Sequence, residues 1–399
     1  MGNNQASNSK KRKSGISASQ FGDILIKTDK SYYFSGEVVI GNIYLNVIKD
    51  GFPGCVVYLR VSGKEKCQWT ETTTNTSSDS DGNTTESTST STYTGKSYIY
   101  QHKLVIHNFE SPSLPLGQFV FPFQFQLLSH LPSSFYQNDV AQISYKVKAA
   151  IQSKKSSLNC IMSIQRLIIR EPLRQNTQPL TGNMQIHSQD CCFPSDGVCL
   201  INCSIDKHNY LPGDVAHLEI NIDNSSLDEQ ITSISIIFLN TLTLTDDSGR
   251  QKLQNWIVQK NEIQGVGPRR KSQKNVRFLL QNNKSPQEIQ PSANGRLVNS
   301  VYSILIKVNL ESDSCCFKED PLITFQIQIV AAVPQSTDPV LIEPPDWNPQ
   351  VFSIQKVYLT DRNKQTGKIL NQDDQNGQHK KNDCIKGNSV LDIQQQMQE

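Results

Sequence analysis

Short segments that alternate apolar and polar residues recur along most of the chain. The clearest is LPLGQFVFPFQFQL, in which every second position is apolar; these positions are Phe119, Phe121, Phe123, Phe125 and Leu127. A period of two places such residues on one face of a β-strand. Pro122 has no backbone N–H, so we expect this strand to lie at a sheet edge or to carry a bulge.

Comparable strand signals appear in EVVIGNIYLNV, AQISYKVKAAI, DVAHLEINIDN, SVYSILIKV and PLITFQIQIV. Each is β-branched or alternating, and each is bounded by Asn, Asp, Gly, Ser or Pro. No segment has the pattern of a helix longer than two or three turns. Many short strands at this spacing favour an all-β protein built from Ig-like β-sandwiches.

One phrase occurs twice, as TDKSYYFSGEV and as IDKHNYLPGDV, with a constant offset of 177 residues. The shared positions that we assign to a structural turn are Asp29, Tyr33 and Gly36 in the first copy, and Asp206, Tyr210 and Gly213 in the second. We expect positive φ at the glycines, buried tyrosine rings, and tyrosine hydroxyls bonded to backbone near the turn. A repeat this long predicts two tandem copies of one domain.

The composition divides the chain into five parts. We predict a disordered basic tail (1–20), a first sandwich (21–172) with a flexible Ser/Thr-rich loop (70–97), a linker (173–190), a second sandwich (191–335) and a mostly disordered extension (336–399).

The bulk properties argue against several classes of protein. Net charge is only +2, which gives no sign of a nucleic-acid binder. No stretch approaches the roughly 20 apolar residues that span a bilayer, and we see no signal peptide. We therefore expect a cytoplasmic protein whose ten cysteines are mostly reduced. No HExxH, GxSxG, Walker A or GxGxxG motif is present, so we expect no enzyme and no cofactor.

The cysteines raise the question of a metal site. The candidates are Cys191, Cys192, Cys315 and Cys316. None has CxxC spacing, and adjacent residues of a strand face opposite sides, so we expect no metal. Cys199 and Cys203 share a parity with neighbouring isoleucines and are interpreted as small core residues.

The motifs resemble one known family. TDKSYYFSGEVVIGNIYL, GKEKCQWTE and LPLGQFVFPFQFQL are similar to the arrestin N-terminal domain, and CCFPSDGVCLINCSIDKHNYLPGDV and SANGRLVNSVYSILIKV to the arrestin C-terminal domain. The resemblance is strongest to the α-arrestin, or arrestin-domain-containing, branch. It implies the arrestin fold and a non-enzymatic adaptor that binds membrane-protein cargo tails and brings trafficking or ubiquitination machinery to them. We expect cargo to add a strand to an exposed edge of the N-terminal sandwich.

Two alternatives stay open at this point. Retromer-type coat subunits share the arrestin fold. Some α-arrestin relatives instead trap a thioredoxin through a surface thiol, for which Cys55, Cys67 and Cys160 are the candidates here. Ligase recruitment is also open, because Pro344-Pro345-Asp346-Trp347 has Trp where the Pro-Pro-x-Tyr motif of the family has Tyr.

Two basic segments point to an anionic membrane surface or to phosphate. Gly2 is a candidate for myristoylation, although Ala6 stands where Ser or Thr is preferred. Lipidation with a nearby basic cluster would anchor the chain at a plasma or endosomal membrane. The basic candidates are Lys10, Lys11, Arg12 and Lys13 in the tail, and Arg269, Arg270 and Lys271 in a predicted loop.

Overall fold

The computed structural model describes residues 20–78, 84–153, 160–173, 178–189, 194–282, 289–310, 321–330 and 346–359. Within these ranges the chain consists of strands and turns, without a helix. It follows that none of the described segments is a helix able to cross a bilayer. The predicted all-β class is confirmed.

Ten strands build the N-terminal sandwich: β1 Gly22–Thr28, β2 Tyr33–Phe34, β3 Val38–Val47, β4 Val56–Ser78, β5 Thr84–Asn108, β6 Gly117–Gln126, β7 Phe135–Gln137, β8 Ala141–Ile151, β9 Ile161–Leu167 and β10 Ile169–Arg170. One sheet has the order β1-β3-β6, and the other has the order β5-β4-β8-β7 with β9 also paired to β8. Alternate residues of each strand point into a common core, as period two requires.

Ten more strands build the C-terminal sandwich: β11 Leu180–Gln189, β12 Pro194–Ile205, β13 Asn209–Tyr210, β14 Val215–Asn224, β15 Ile231–Thr245, β16 Gln251–Val266, β17 Arg270–Leu279, β18 Ala293–Asn294, β19 Val298–Leu310 and β20 Leu322–Ile329. Their sheets have the orders β11-β12-β14-β17 and β13-β20-β19-β15-β16, with β18 on β19. The tandem sandwiches are as predicted.

The aromatic stripe of β6 lies in the N-terminal core. Phe121, Phe123 and Phe125 are at most 2% exposed. Pro122 pairs with Asn42 of β3, and among the described residues no strand pairs with it on the other side of β6. The missing N–H is therefore tolerated at this position.

The prediction of a flexible loop over residues 70–97 is wrong. β4 and β5 continue as a two-stranded antiparallel ribbon up to the pair Ser78 and Thr84. Thr72 faces Thr90, and Thr74 faces Thr88. Threonine is β-branched and favours strands, and paired threonines stabilise such ribbons. Only the tip, 79–83, lies outside the described residues.

The predicted linker is also too long. Residues 180–189 form β11, which pairs antiparallel with β12 and so belongs to the C-terminal sandwich. Ile186 of β11 is buried opposite Cys199. The connector between the last strand of one sandwich and the first of the other is thus about ten residues shorter than predicted.

The extension 336–399 is not wholly a tail. Residues 346–359 are described, and they contain β21 Gln350–Val351 and β22 Gln355–Val357. Both strands pair in parallel with β6 of the N-terminal sandwich. Residues 336–345 and 360–399 lie outside the described ranges, as does the predicted tail up to residue 19.

The two sandwiches share a boundary that is both apolar and polar. Leu242, Leu244 and Leu297 of the C-terminal half are fully buried in the N-terminal core cluster. Beside them Glu65, which is 3% exposed, accepts the backbone N–H of Arg296 at 3.2 Å and that of Leu297 at 2.6 Å. Burial of this kind couples the two halves.

Candidate functional site at the edge of the N-terminal sandwich

Residues 346–359, which we name the C-terminal strap, lie along β6. Gln350 pairs with Phe119 and Val351 with Val120; further along, Val357 pairs with Phe125. Between them the N–H of Phe352 donates to the carbonyl of Val120 at 3.0 Å. The strap thus occupies the edge that β6 would otherwise expose.

Side chains of the strap enter the core at two points. Phe352 lies 4.4 Å from the ring of His107 and also contacts Phe119 and Phe121. Val357 is 3% exposed. Burial lowers the pKa of His107, which keeps the imidazole neutral within this aromatic cluster.

The rest of the strap faces outward. Val351, Ile354 and Tyr358 are 64%, 45% and 75% exposed. The strap is therefore held by a few main-chain bonds and by Phe352, Val357 and the half-buried Leu359, which also packs against the N-terminal core, while the three exposed side chains contact solvent. Such a segment is expected to detach more easily than a core strand.

The opposite edge of the same sheet is obstructed. β1 lies next to β9, and the N–H of Ile26 donates to the Ser163 hydroxyl at 3.3 Å. The Gln165 amide donates to the Thr28 hydroxyl at 2.7 Å. Ser163 and Gln165 are buried against β1, and Ser163 occupies a backbone N–H that an added strand would need. Of the two edges of this sheet, the edge of β6 is the one that demonstrably accepts a strand.

The repeated phrase forms the same turn in both sandwiches. The Tyr33 hydroxyl donates to Asp29 at 2.5 Å, and the Tyr210 hydroxyl donates to Asp206 at 2.6 Å. The expected backbone partner is present as well, because the N–H of Lys30 donates to the Tyr33 hydroxyl at 3.1 Å. The hydrogen bond to the carboxylate four residues earlier is an additional one, which the sequence does not predict. Burial and then this bond raise the pKa of both tyrosines.

The acid and the glycine of each turn also match. Glu37 accepts the N–H of Phe34 at 3.1 Å, and Asp214 accepts that of Leu211 at 3.0 Å. Gly36 and Gly213 have φ of 85° and 88°, a region that favours glycine. These contacts are local and stabilise the turn itself.

Comparisons with known proteins agree with this architecture. The model of "Arrestin (or S-antigen), N-terminal domain" matches residues 22–171, and that of the C-terminal domain matches residues 195–334. Together the two matches cover most of the chain. The chain belongs to the arrestin family.

Two relatives show how far the likeness extends. Arrestin domain-containing protein A of Dictyostelium discoideum is 22% identical over 332 residues, which are 81% of this chain and 54% of that protein. Arrestin domain-containing protein 1 of Mus musculus is 30% identical over 118 residues, 29% of this chain and 27% of that protein. This arrestin-family chain spans about half the length of the first relative.

The basic candidates of the arrestin C-terminal domain are largely neutralised. Arg269 donates twice to Asp228, at 2.6 and 2.8 Å. Lys271 lies 2.7 Å from Asp223, and this contact contributes to a pKa of about 2 for that acid. Arg270 and Lys271 begin β17 and are not in a loop. Arg270 alone of the three has no carboxylate partner among the described residues.

The thiol candidates are not surface groups. Cys55 and Cys67 are free and buried, and burial raises the pKa of Cys67 to about 11. Cys160 is buried and disulfide-bonded. The prediction of an accessible trapping thiol at these positions is wrong, because a thiolate must form and be reached. The buried Cys199 and Cys203 pack in the C-terminal core.

Several candidates lie outside the described residues and stay predictions. These are Gly2, Lys10, Lys11, Arg12, Lys13, Cys191, Cys192, Cys315, Cys316, Pro344 and Pro345. Within the described part of the chain no cluster of His, Cys, Asp and Glu could hold a metal ion. Trp347, from the proline-rich motif, is half-buried near Tyr44, with ring centroids 6.3 Å apart.

Sequence reasoning missed the strap and its partner His107. A signal was present in QVFSIQKVYL, where apolar residues stand among polar ones as in a short strand. Its position after the second sandwich favoured an exit segment, and nothing in the pattern indicates a return to β6.

Proposed function

We propose that this chain is a non-enzymatic cytoplasmic adaptor that binds extended segments of membrane-protein cargo tails at the edge of β6. The cargo segment takes the place of the C-terminal strap, and the rest of the molecule brings trafficking or ubiquitination machinery to the cargo. The adaptor acts at the plasma or endosomal membrane.

The observation that carries this proposal is the parallel pairing of the strap with β6. An edge that holds one extended segment through main-chain bonds can hold another, because those bonds do not depend on sequence. Pockets for alternate side chains then give selectivity. Here the positions of Phe352 and Val357 define two such pockets, both apolar.

Membership of the arrestin family supports the adaptor class. Arrestin-family proteins are generally adaptors without catalytic activity. We further propose that the adaptor selects membrane-protein tails as cargo and recruits trafficking or ubiquitination machinery.

Site-specific photocrosslinking tests the cargo site. A photoreactive phenylalanine replaces Gln124 on β6, next to the strap residue Lys356. The full chain is then probed with an array of cytosolic-tail peptides from membrane proteins. We expect tail peptides to crosslink at this position, and we expect the synthetic peptide 346–359 to compete with them.

The matched control places the same photoreactive residue at Thr324, which is exposed on β20 of the C-terminal sandwich. Few or no crosslinks are expected there. Cargo crosslinks confined to the C-terminal sandwich would refute the β6 edge as the cargo site.

A further inference from the structure

The outer face of the sheet β11-β12-β14-β17 carries a row of side-chain amides, to which each strand contributes one residue. Each amide lies directly opposite the next one on the neighbouring strand. In the order of the strands across the sheet, the four residues are Asn183, Asn202, Asn221 and Gln273. We call them the amide row. Neighbouring strands lie about 4.8 Å apart, so the row is about 14 Å long. Asn221 is half-buried and the other three are exposed.

Domain duplication supplies an internal comparison. Asn202 and Asn221 pair with each other, as do Leu25 and Tyr44, which stand 177 residues earlier. The next strand places Gln273 beside Asn221 and Val120 beside Tyr44. The N-terminal sandwich therefore has an apolar row, Leu25, Tyr44 and Val120, at the positions where the C-terminal sandwich has amides.

The apolar row of the N-terminal sandwich is covered by a peptide segment. Val120 is buried although it lies on the outward parity of β6, and Trp347 of the strap approaches Tyr44. Next to this contact the backbone N–H of Asn348 donates to the side-chain amide oxygen of Gln118 at 2.7 Å. An outward amide of this chain thus already binds the main chain of a segment crossing the face of a sheet.

The amides of the C-terminal row are oriented. One oxygen of Glu219 accepts the amide N–H of Asn221 at 3.0 Å and that of Gln273 at 2.8 Å. Their carbonyl oxygens are then left to accept hydrogen bonds from a ligand. A shallow depression of about 330 Å³ lies over three of the four amides, those of Asn202, Asn221 and Gln273. It is bordered by Leu200 and by the ion pair of Asp223 and Lys271.

We propose that the amide row binds the main chain of an extended polypeptide segment from another protein. A peptide unit offers one N–H and one C=O, which a side-chain amide can match with its own donor and acceptor. The Asp223–Lys271 pair adds no net charge beside the row. No aromatic side chain lies on the row among its described residues, so a ligand that needs a ring to stack on, such as an oligosaccharide, fits less well.

This site is separate from the β6 edge and does not depend on the cargo proposal. The row lies on the C-terminal sandwich, and its recognition elements are side chains on a sheet face. The strap site lies on the N-terminal sandwich and uses the main chain of an edge strand. A variant of one leaves the other in place.

Peptide display on the full chain tests the proposal. A library of random linear 12-residue peptides is selected on the wild-type protein and counter-selected on a variant with Asn202→Leu, Asn221→Tyr and Gln273→Val. This variant carries the residues of the N-terminal row, which favour strands at least as well as amides do. We expect surviving peptides to bind wild type at least tenfold more tightly than the variant, by fluorescence anisotropy.

A second measurement separates main-chain from side-chain recognition. Methylation of single backbone nitrogens in a selected peptide should weaken binding tenfold or more, whereas single alanine substitutions should weaken it less than threefold. The control variant Asn255→Leu, exposed on β16, should bind as wild type does. The proposal is overturned if no peptide survives counter-selection, if only alanine substitutions weaken binding, or if the row binds an oligosaccharide array and no peptide.

Discussion

Phe352 of the C-terminal strap stacks on Phe121 of β6, with ring centroids 4.8 Å apart and planes 15° apart. Phe121 belongs to the alternating stripe that the sequence predicts as core, whereas Phe352 lies more than 200 residues later. This contact makes the strap part of the N-terminal sandwich. Phe352 is the aromatic side chain that anchors the strap to β6, so its contribution to strap binding can be tested by mutation.

Phe352→Ala should release the strap. Loss of a half-buried aromatic ring removes about 2 kcal/mol of apolar contact. If the strap detaches as a unit, its open population rises about 30-fold. Limited proteolysis within residues 346–359 measures this population. Tyr358→Ala, at a position 75% exposed in the same segment, should cleave at the wild-type rate.

The paired turns should respond alike to mutation. Tyr33→Phe and Tyr210→Phe each remove a hydrogen bond to a carboxylate, which costs about 2 kcal/mol of unfolding free energy. Urea denaturation checks the two values. The control is Tyr136→Phe, which removes an exposed bond to Asp139 at 3.0 Å and should cost well under half as much. Clearly unequal losses at Tyr33 and Tyr210 would contradict the structural equivalence of the turns.

Glu65 should be needed for the boundary between the sandwiches. Glu65→Ala leaves the buried N–H groups of Arg296 and Leu297 without an acceptor, at a cost of about 2 to 4 kcal/mol. Differential scanning calorimetry should show a lower and broader transition as the halves uncouple. Glu262→Ala is the comparison, because that acid is 54% exposed and lies 3.9 Å from Lys260. It should change the transition little.

Stability should fall at high pH through the buried thiols. Burial raises the pKa of Cys203 to about 12 from an ordinary value near 9. The unfolded chain then releases its proton first as pH rises, so the unfolding free energy is unaffected by this thiol below about pH 8.5 and declines above pH 9. The slope is about 1.4 kcal/mol per pH unit for each such thiol. Denaturation from pH 7 to 11 should show a smaller slope for Cys203→Ala.

The parts of the fold that the sequence predicts correctly have strong local periodicity. Every second residue from Phe119 to Leu127 is apolar, and the two turn phrases share five identical residues. The composition of the Ser/Thr ribbon predicts a loop because it resembles that of disordered segments, whereas its preference for a strand comes from the β-branching of threonine. In this segment the polar composition indicates a loop, whereas the β-branched threonines indicate a strand.

The site itself could not be predicted in the same way. The strap pairs with β6 through elements of two and three residues, too short for a periodic pattern. The amide row is invisible in sequence because Asn183, Asn202, Asn221 and Gln273 meet only through the registers of four strands. Long-range register is set by the whole core, not by any local segment.

Hydrogen exchange at the β6 amides tests the central claim most directly. It compares the full chain with a chain ending at residue 345. The account predicts that β6 amides exchange at least tenfold faster without the strap, and that the synthetic peptide 346–359 restores their protection. Equal exchange rates in the two chains, or a peptide that leaves the β6 amides unprotected, would contradict the claim that the edge of β6 binds an exchangeable strand.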